Sequence, residues 1–307
     1  MARPGIKRRV VNGILVLDKP LHVSSNGALQ RVKNLFAAKK AGHTGSLDPL
    51  ASGVLPLCFG EATKFSQFLL DAEKRYSTVI KLGVATATGD AEGEVLETKP
   101  VPALDENSLE AVLAQFRGEI EQIPSMYSAI KVDGQPLYKL ARQGIEIERK
   151  SRTIEIKELT LEGFTDDTLT LDIHCTKGTY VRTLAEDIGK VLGCGAHVAE
   201  LRRTASGPFD LAQSVTVETL EQILAEKGQA GLDECLLSPA AAVPEWPSVE
   251  LTEVTAAYLK QGQPVQIAKA PTTGWVRIFS ESEDDAFIGV GEIMEDGRIA
   301  PRRLVAY

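Results

Sequence analysis

Apolar and polar positions in the first 120 residues follow both a strand period and a helix period. The apolar run GILVL at 13–17 predicts a buried strand. Ser25 precedes apolar residues at helical spacing, which predicts a helix over 25–36 with Ser25 as its cap. The same patterns predict three further elements: a helix at 65–70, a strand at 75–84 and a helix near 107–117.

The next stretch contains the clearest strand alternation of the chain. Residues 152–163 and 168–175 alternate apolar and polar side chains, as in a half-buried antiparallel hairpin. YVRTLAEDIGKVL (180–192) has helical periodicity, and HVAELRRTASG (197–207) returns to a strand pattern. The chain is therefore expected to fold as an α+β protein.

The C-terminal part has a different pattern. After a predicted helix at 216–227, the two prolines of VPEWP (243–247) indicate a domain linker. Residues 248–307 contain one short helical pattern and at least four short strands punctuated by glycine. A small, separate β domain is expected there.

Residues 125–152 are predicted to project from the domain as an arm. Asp133 and Gly134 indicate a hairpin turn, and Gly144 is placed to end a short helix at 138–143. Six cations outnumber three acids in this arm: Lys131, Lys139, Arg142, Arg149, Lys150 and Arg152 against Asp133, Glu146 and Glu148. Such a surface either contacts phosphates or is merely solvated.

A glycine-rich loop, GHTGSLDPLASGVLP (42–56), contains a single acid, Asp48. Pro49 suits the first turn of a short helix, for which Asp48 would be the N-cap. The ordinary interpretation of an Asp before Pro is therefore a cap or an Asx turn. The alternative is that Asp48 is a catalytic carboxylate.

Composition excludes several classes of protein. The chain has 307 residues, of which 43% are hydrophobic, so it can bury a large core. It has no apolar stretch of about 20 residues, and its basic start is too soon interrupted by Asp18 for a signal peptide, so a cytoplasmic location is expected. The four cysteines form no CxxC pair, and no HExxH, GxGxxG or Walker pattern occurs, so neither a metal nor a cofactor is expected.

Charge is distributed unevenly along the chain. The net charge is −8, yet residues 1–47 hold nine Lys or Arg against the single acid Asp18. Binding to a polyanion requires a basic face and not a basic protein. A nucleic-acid partner therefore remains open at this stage.

The glycine loop closely resembles the catalytic loop of the TruB-type tRNA pseudouridine synthases. Four further segments resemble the same family in the same order: NGILVLDKP (12–20), EATKFSQFLLDAEKRY (61–76), SMYSAIKVDGQPLYKLARQG (125–144) and KGTYVRTLAEDIGKVLGCGAHVAELRRTASGPF (177–209). Together these segments span most of the first 210 residues, and the resemblance weakens beyond about residue 215.

The resemblance implies an active site built on one carboxylate. It assigns catalysis to Asp48, either as a nucleophile toward ribose C1′ or as a base. Arg182 matches the arginine that pairs with this acid, and a cation there favours its ionised form. Tyr76 matches the aromatic residue that stacks on the target uracil and whose hydroxyl assists proton removal from C5. Taken alone, an arginine at the position of Arg182 is more often a surface residue, and a tyrosine at the position of Tyr76 is more often a core residue.

Further residues are assigned to substrate and phosphate contacts by the same resemblance. Tyr180 and Leu201 match residues that line the uracil pocket, and His43 matches the residue that fills the stack left by an extruded base. Lys19 and Pro20 match a motif that supports the loop. Four cations are expected to contact phosphates: Lys19, Lys139, Arg142 and Arg149.

The family implies a domain plan and a reaction. Residues 1–245 are expected to form the catalytic domain, a mixed and largely antiparallel sheet flanked by helices, with the arm at 125–152. Residues 246–307 are expected to form a PUA-like β barrel that binds RNA. The expected reaction is isomerisation of uridine 55 in the T loop of tRNA, without a cofactor or an obligate protein partner. The alternative is a non-catalytic tRNA-binding or RNA-folding protein.

Overall fold

A computed structural model describes residues 7–128, 130–132, 134–141, 143–268, 270–281 and 286–306. The helices, in chain order, are α1 (Ser25–Leu35), α2 (Ser66–Asp71), α3 (Glu106–Leu113), α4 (Leu137–Ala141), α5 (Val181–Val191), α6 (Val217–Asp233) and α7 (Glu253–Lys260).

The predicted strands at 13–17, 75–84, 152–163, 168–175 and 197–207 are present, and the body has further strands that the sequence did not predict. Those before the arm are β1 (Gly13–Lys19), β2 (Ala41–His43), β3 (Ala51–Phe59), β4 (Lys74–Leu82), β5 (Val84–Thr86), β6 (Val95–Thr98) and β7 (Gly118–Gln122). Those of the arm and beyond are β8 (Lys131–Val132), β9 (Gln135–Pro136), β10 (Arg152–Phe164), β11 (Thr168–Cys175), β12 (Ala196–Ser206), β13 (Phe209–Asp210), β14 (Ser248–Leu251), β15 (Gly274–Ser280), β16 (Ala286–Ile293) and β17 (Ile299–Leu304).

One large mixed sheet forms the body of the protein. Within the described part of the chain it has nine strands, of which seven follow the order β1-β3-β12-β4-β11-β10-β7, while β2 pairs with β3 and β13 with β12. The pair β12 and β3 is parallel and the others are antiparallel. The predicted α+β class and the largely antiparallel sheet are confirmed.

Both faces of the sheet are covered, which explains the unbroken apolar run of β1. Leu15 and Leu17 belong to a core that includes residues of α1, α3, α5 and α6. Ile14 and Val16 point to the other face and belong to a second core. Alternate side chains of a strand point to opposite faces, so a strand buried on both sides is apolar throughout.

The second core joins the C-terminal part of the chain to the body. It combines Phe65 and Leu69, next to the sheet, with Phe287 of β16. Phe68 packs edge-on against Trp246 and Trp275, with ring centroids 5.0 and 5.7 Å away. The predicted linker at 243–247 is thus packed against the body and is not a free connection.

The C-terminal residues form a four-stranded sheet of order β14-β15-β16-β17, with α7 between the first two strands of the chain order. An isolated bridge between Val265 and Ile299 adds a further segment to it. The sheet agrees with the small β domain predicted from the glycine-punctuated strands. Its closure into a PUA-type barrel and the boundary at 245/246 stay predictions.

Two local predictions at the glycine loop and α1 were wrong. Pro49 and Leu50 form a turn that leads directly into β3, so Asp48 caps no helix. The N-cap of α1 is Ser24, whose hydroxyl accepts a hydrogen bond from the amide of Gly27. Ser25 is buried and serves the loop instead. Asp133 of the predicted hairpin turn and Arg142 lie outside the described residues.

Candidate active site

A cleft of about 400 Å³ opens beside the glycine loop. It is lined by the loop, by the start of β4, by residues 176–182 before and within α5, and by β12. The predicted residues that line it are Asp48, Tyr76, Tyr180, Arg182 and Leu201. Four segments that are far apart in sequence therefore converge on one site.

The carboxylate of Asp48 is paired with a buried arginine at the wall of this cleft. Arg182 Nη2 lies 3.0 Å from Asp48 Oδ2, and the Arg182 side chain is only 7% exposed whereas that of Asp48 is 41% exposed. The carboxylate of Asp48 is thus accessible from the cleft while its counter-ion is enclosed. The ion pair rules out the interpretation of Asp48 as a simple helix cap.

A second carboxylate and two main-chain carbonyls hold the arginine in place. Arg182 Nη1 lies 3.4 Å from Asp90 Oδ2 and donates to the carbonyl of Thr88 at 2.9 Å. Its Nη2 donates to the carbonyl of Tyr127 at 3.0 Å. Asp90 is buried and itself accepts a hydrogen bond from the amide of Glu92. A guanidinium with this many acceptors has a restricted orientation.

Asp90 was missed by the sequence analysis. It lies in ATATGDAEGEV, a stretch with turn composition that carries none of the resemblance, and a lone Asp in such a turn ordinarily bonds its own backbone. Its burial in the company of an arginine could be recognised only in three dimensions.

Ser25 anchors the glycine loop through hydrogen bonds to Leu47. Its hydroxyl accepts a hydrogen bond from the amide of Leu47 at 2.7 Å and lies 2.9 Å from the Leu47 carbonyl. The amide of Ala51 donates to the carbonyl of Asp48, which closes the turn before β3. The backbone on both sides of Asp48 is therefore fixed by hydrogen bonds.

Electrostatics at Asp48 result from opposed effects. Burial raises the pKa of the Asp48 carboxyl above its usual range, the Arg182 guanidinium lowers this pKa, the charge of Asp90 raises it, and Lys19 lowers it. The net direction is upward, so Arg182 offsets only part of the cost of burial. Arg182 therefore favours the ionised form, as expected, but does not by itself outweigh burial.

Tyr76 stands on β4 at the floor of the cleft and is 9% exposed. Burial raises the pKa of its phenol, and the charge of the Arg203 guanidinium opposes this shift. Arg203 lines the cleft as well but was not among the predicted site residues. Its sequence context, LRRTAS on a strand, resembles ordinary strand composition.

His43 does not line the cleft. It is half-buried on β2, the strand that leads into the catalytic loop, and burial lowers the pKa of its imidazole. Its Nδ1 is buried without a hydrogen-bond partner among the described residues. That His43 fills the space left by an extruded base therefore stays a prediction.

Lys19 is at odds with a phosphate contact. It is fully buried, and its Nζ donates to the carbonyls of Pro20 and Val23 at 2.8 and 2.6 Å. Burial lowers its pKa to about 8. Such a lysine stabilises the segment between β1 and α1, in agreement with the loop-supporting role. Its ammonium group is not exposed for contact with RNA.

The basic N-terminal segment is partly neutralised by acids of α6. Arg9 lies 2.6 Å from Asp233, and Arg31 lies 2.8 Å from Glu221. Lys39 and Lys40 remain exposed, directly before β2. The sequence excess of positive charge therefore overstates the basic surface that the fold presents.

The arm keeps two of its predicted phosphate ligands within the described residues. Lys139 is exposed on α4. Arg149 is 22% exposed, donates to the carbonyl of Pro124 and lies 3.2 Å from Glu146. Arg142, the third, lies outside the described residues.

The described residues contain neither a metal-binding cluster nor a membrane-spanning helix. No group of three or more His, Cys, Asp or Glu side chains there is arranged to hold a metal ion. None of the helices described is long and apolar enough to cross a membrane.

Solved structures share this fold over nearly the whole chain. A chain from the structure of an H/ACA RNP bound to a substrate RNA containing 2′-deoxyuridine matches with a TM-score of 0.72 at 23% identity, covering 96% of this chain and 85% of that one. A chain from a Cbf5-Nop10-Gar1 complex matches with a TM-score of 0.71 at 25% identity, covering 98% of this chain and 87% of that one.

Family models and relatives then identify the chain more narrowly. The N-terminal domain model of the TruB family pseudouridylate synthases matches residues 33–181. The model for the tRNA pseudouridylate synthase B C-terminal domain matches residues 182–243, and that for the C-terminal part of pseudouridine synthase II TruB matches residues 247–305.

Proteins called tRNA pseudouridine synthase B are similar to this chain over its full length. The protein from Pseudomonas aeruginosa (strain UCBPP-PA14) is 57% identical over 298 residues, 97% of each chain. That from Stutzerimonas stutzeri (strain A1501) is 58% identical over 305 residues, 99% of each chain. Fold and site are thus those of a pseudouridylate synthase, which is an isomerase. The chain belongs to the TruB family of these enzymes, as the glycine loop indicated.

Proposed function

We propose that this protein converts uridine 55 in the T loop of tRNA to pseudouridine, and that it does so in the cytoplasm. A tRNA substrate is supported by the names of relatives that are 57% and 58% identical. The T-loop position is supported by the resemblance of the glycine loop and of the four segments around it. The cytoplasm is where such a substrate is available.

The observation that carries the proposal is the Asp48–Arg182 pair in the cleft. A protein that only bound RNA would gain nothing from a carboxylate facing an anionic ligand, because like charges repel. The guanidinium stabilises the ionised form that a nucleophile or base requires. The geometry thus favours a catalytic role over binding alone.

The proposed isomerisation needs no second reactant. The bond between uracil N1 and ribose C1′ breaks, the base turns, and C5 forms the new bond to C1′. The C5–H bond then breaks, its electrons restore the C5–C6 double bond, and N1 gains a proton. Asp48 acts at the sugar, either by attacking C1′ or by removing a proton, and the isomerisation is neutral in electrons and atoms.

Access to the cleft requires the base to leave the tRNA stack. A uridine within a folded loop presents C1′ to no side chain until it is extruded, which costs a few kcal/mol. Tyr76, Tyr180 and Leu201 supply the aromatic and apolar surface against which the extruded uracil would pack. His43, beside the catalytic loop, would occupy the place that the base vacates.

Cations of the arm and of the segment before β2 would hold the surrounding RNA. Lys139, Lys39 and Lys40 are exposed, and Arg149 is partly exposed beside Glu146. They would contact phosphates, which set the register but carry no sequence information. Residues 246–307 would add contacts to the rest of the tRNA. All residues assigned to chemistry lie before residue 210.

The test is formation of pseudouridine in unmodified tRNA incubated with the protein. Pseudouridine at position 55, and none in a tRNA with cytidine there, is the expected result. The isosteric Asp48→Asn variant removes the charge and keeps the shape, so it should bind tRNA as the parent does and form no product. If Asp48→Asn forms product at a rate within a few fold of the parent, the proposed role of Asp48 is wrong, and the RNA-binding alternative gains if the parent itself is inactive.

A further inference from the structure

Arg203 is a fully enclosed cation beneath the cleft that the proposed chemistry does not yet use. It is 1% exposed, and among the described residues no carboxylate lies within 4 Å of it. An arginine does not lose its proton in a protein, and a buried guanidinium without a carboxylate partner is costly. We therefore expect Arg203 to have a structural or catalytic role.

The guanidinium of Arg203 joins three segments of the active site. Its Nε donates to the carbonyl of Val54 on β3 at 2.7 Å, and its Nη2 donates to the carbonyl of Gly45 in the catalytic loop at 3.2 Å. It lines the same cleft as Tyr76. One side chain therefore fixes the loop that carries Asp48 to β3, next to the aromatic residue of the pocket.

The backbone directs Arg203 at Tyr76. The two residues are cross-strand neighbours in the pair of β12 and β4, and a register shift follows directly, between Arg203 and Ala205. Bulges of this kind commonly lie next to active sites, where they re-aim a side chain. Gly53, with φ of +103°, allows β3 to pass so close that a Cβ there would stand 2.2 Å from the Arg203 carbonyl oxygen.

We propose that Arg203 is a positioning residue, which lies beside Tyr76 and stabilises the negative charge that arises near the phenol while the C5 proton is transferred. This inference rests on the proposed function. In that step the C5–H bond breaks, its electrons enter the ring, and the proton passes by way of the phenol toward N1. Preorganised donors are most effective where charge develops in an enclosed site.

The surroundings support a field of this sign. The charge of Arg203 lowers the pKa values of His43, Lys19 and Lys74, in each case as a contribution smaller than burial. It likewise opposes the effect of burial on the pKa of Tyr76. The field of this guanidinium thus disfavours the protonated form of each of these groups, and at Tyr76 it favours the phenolate.

A double-mutant cycle separates this role from a general structural one. Arg203→Lys keeps the charge but loses the planar fork that reaches the carbonyls of Val54 and Gly45 at once. In the presence of Tyr76 we expect single-turnover conversion of saturating tRNA to slow by about 100-fold, the effect of a small misplacement in an active site. In a Tyr76→Phe background the same change should cost less than about threefold, since the partner hydroxyl is already absent.

A second readout reports on the C5 proton itself. With tRNA that carries [5-²H]uridine at position 55, the rate ratio of light to heavy substrate should be larger for Arg203→Lys than for the parent. The control is Arg202→Lys on the same strand, whose parent residue pairs with Asp18 and Ser52 outside the cleft and whose rate ratio should equal that of the parent.

The outcomes discriminate clearly. Additive losses in the cycle, or an unchanged isotope ratio in Arg203→Lys, would overturn the proposal. The melting midpoint of each variant is measured first, and Arg203→Gln replaces the lysine variant in the same cycle if the latter is unfolded at the assay temperature. Failure of the proposed function is distinguishable, because the parent would then form no pseudouridine at all.

Discussion

Nη1 of Arg182 lies 3.4 Å from Oδ2 of the buried Asp90, while Nη2 of the same guanidinium contacts Asp48. One cation thus serves two acids of different exposure. Asp48 faces the cleft, whereas Asp90 is enclosed and restrains the arginine. The shared cation thus holds the carboxylate that we propose as catalytic at the cleft without burying it.

This arrangement predicts opposite pH shifts for two variants. Asp90→Asn removes a charge that raises the pKa of Asp48, so the acidic limb of the rate profile should move to lower pH. Arg182→Gln removes a charge that lowers the same pKa, so the limb should move to higher pH. Both follow because Asp48 must be ionised to react.

The measurement is the single-turnover rate at saturating tRNA as a function of pH. Asp90→Asn should in addition reduce the plateau rate by up to about 100-fold, because Arg182 loses one of its restraints. Shifts of the two limbs in the same direction would contradict the assignment of Asp48 as the titrating group.

The arm should contribute to the salt dependence of tRNA affinity. Neutralising Lys139, Arg142 and Arg149 together should weaken binding and flatten the log-log slope by roughly 0.7 to 0.9 for each phosphate that is no longer bound. Equilibrium binding between low and moderate salt measures this slope.

A matched control has the same change in net charge. Lys81, Lys99 and Lys227 each pair with an acid on their own surface, and their joint replacement by Gln should leave the slope unchanged. Equal slopes for the two triple variants would show that the arm is an ordinary solvated surface.

The shared aromatic core predicts that the C-terminal sheet stabilises the body. Phe287 packs against Phe65, with ring centroids 5.4 Å apart. Phe287→Ala should therefore lower the free energy of unfolding by about 3 to 5 kcal/mol. Tyr258→Ala, at a side chain that is half-exposed in the same domain, should change it by no more than about 0.5 kcal/mol.

Denaturant unfolding followed by tryptophan fluorescence reports directly on this interface, because Trp246 and Trp275 lie in it. A loss of stability for Phe287→Ala as small as that for Tyr258→Ala would mean that the C-terminal sheet contributes little to the stability of the body. Cutting the chain after Pro244 would then leave a folded catalytic domain.

Gly53 should be intolerant of a side chain. A Cβ there would stand 2.2 Å from the Arg203 carbonyl oxygen, and its φ of +103° strains any other residue. Gly53→Ala should lower the free energy of unfolding by about 1 to 3 kcal/mol, as overpacking does, and should displace Arg203. Thermal unfolding and single-turnover rates measure the two effects.

Gly163→Ala is the control for this substitution. A Cβ at Gly163 would meet nothing within 4 Å. Its melting midpoint and rate should match those of the parent. A Gly53→Ala protein that is as stable and active as the control would contradict the close approach of β3 to β12.

The sequence was informative wherever physics is local. Strand and helix periods predicted the main elements of the body to within a few residues, because side-chain periodicity depends on near neighbours. The error at Pro49 has the same cause, because local preference suits this residue to a helix start. In the structure it lies instead in the turn that leads into β3. Only the pairing of β3 with β1 and β12 decides between the two.

The sequence by itself determined the α+β class, the acid of the glycine loop and, through five ordered motifs, the family. Tertiary structure alone decided that Asp48 and Asp90 share Arg182, that Arg203 is the cross-strand neighbour of Tyr76, that Lys19 is buried, and that α6 neutralises Arg9 and Arg31. The physical reason is that the ionisation and reach of a charged side chain depend on its partners and its burial. Both are set by segments that are distant in the chain and meet only when the sheet is complete.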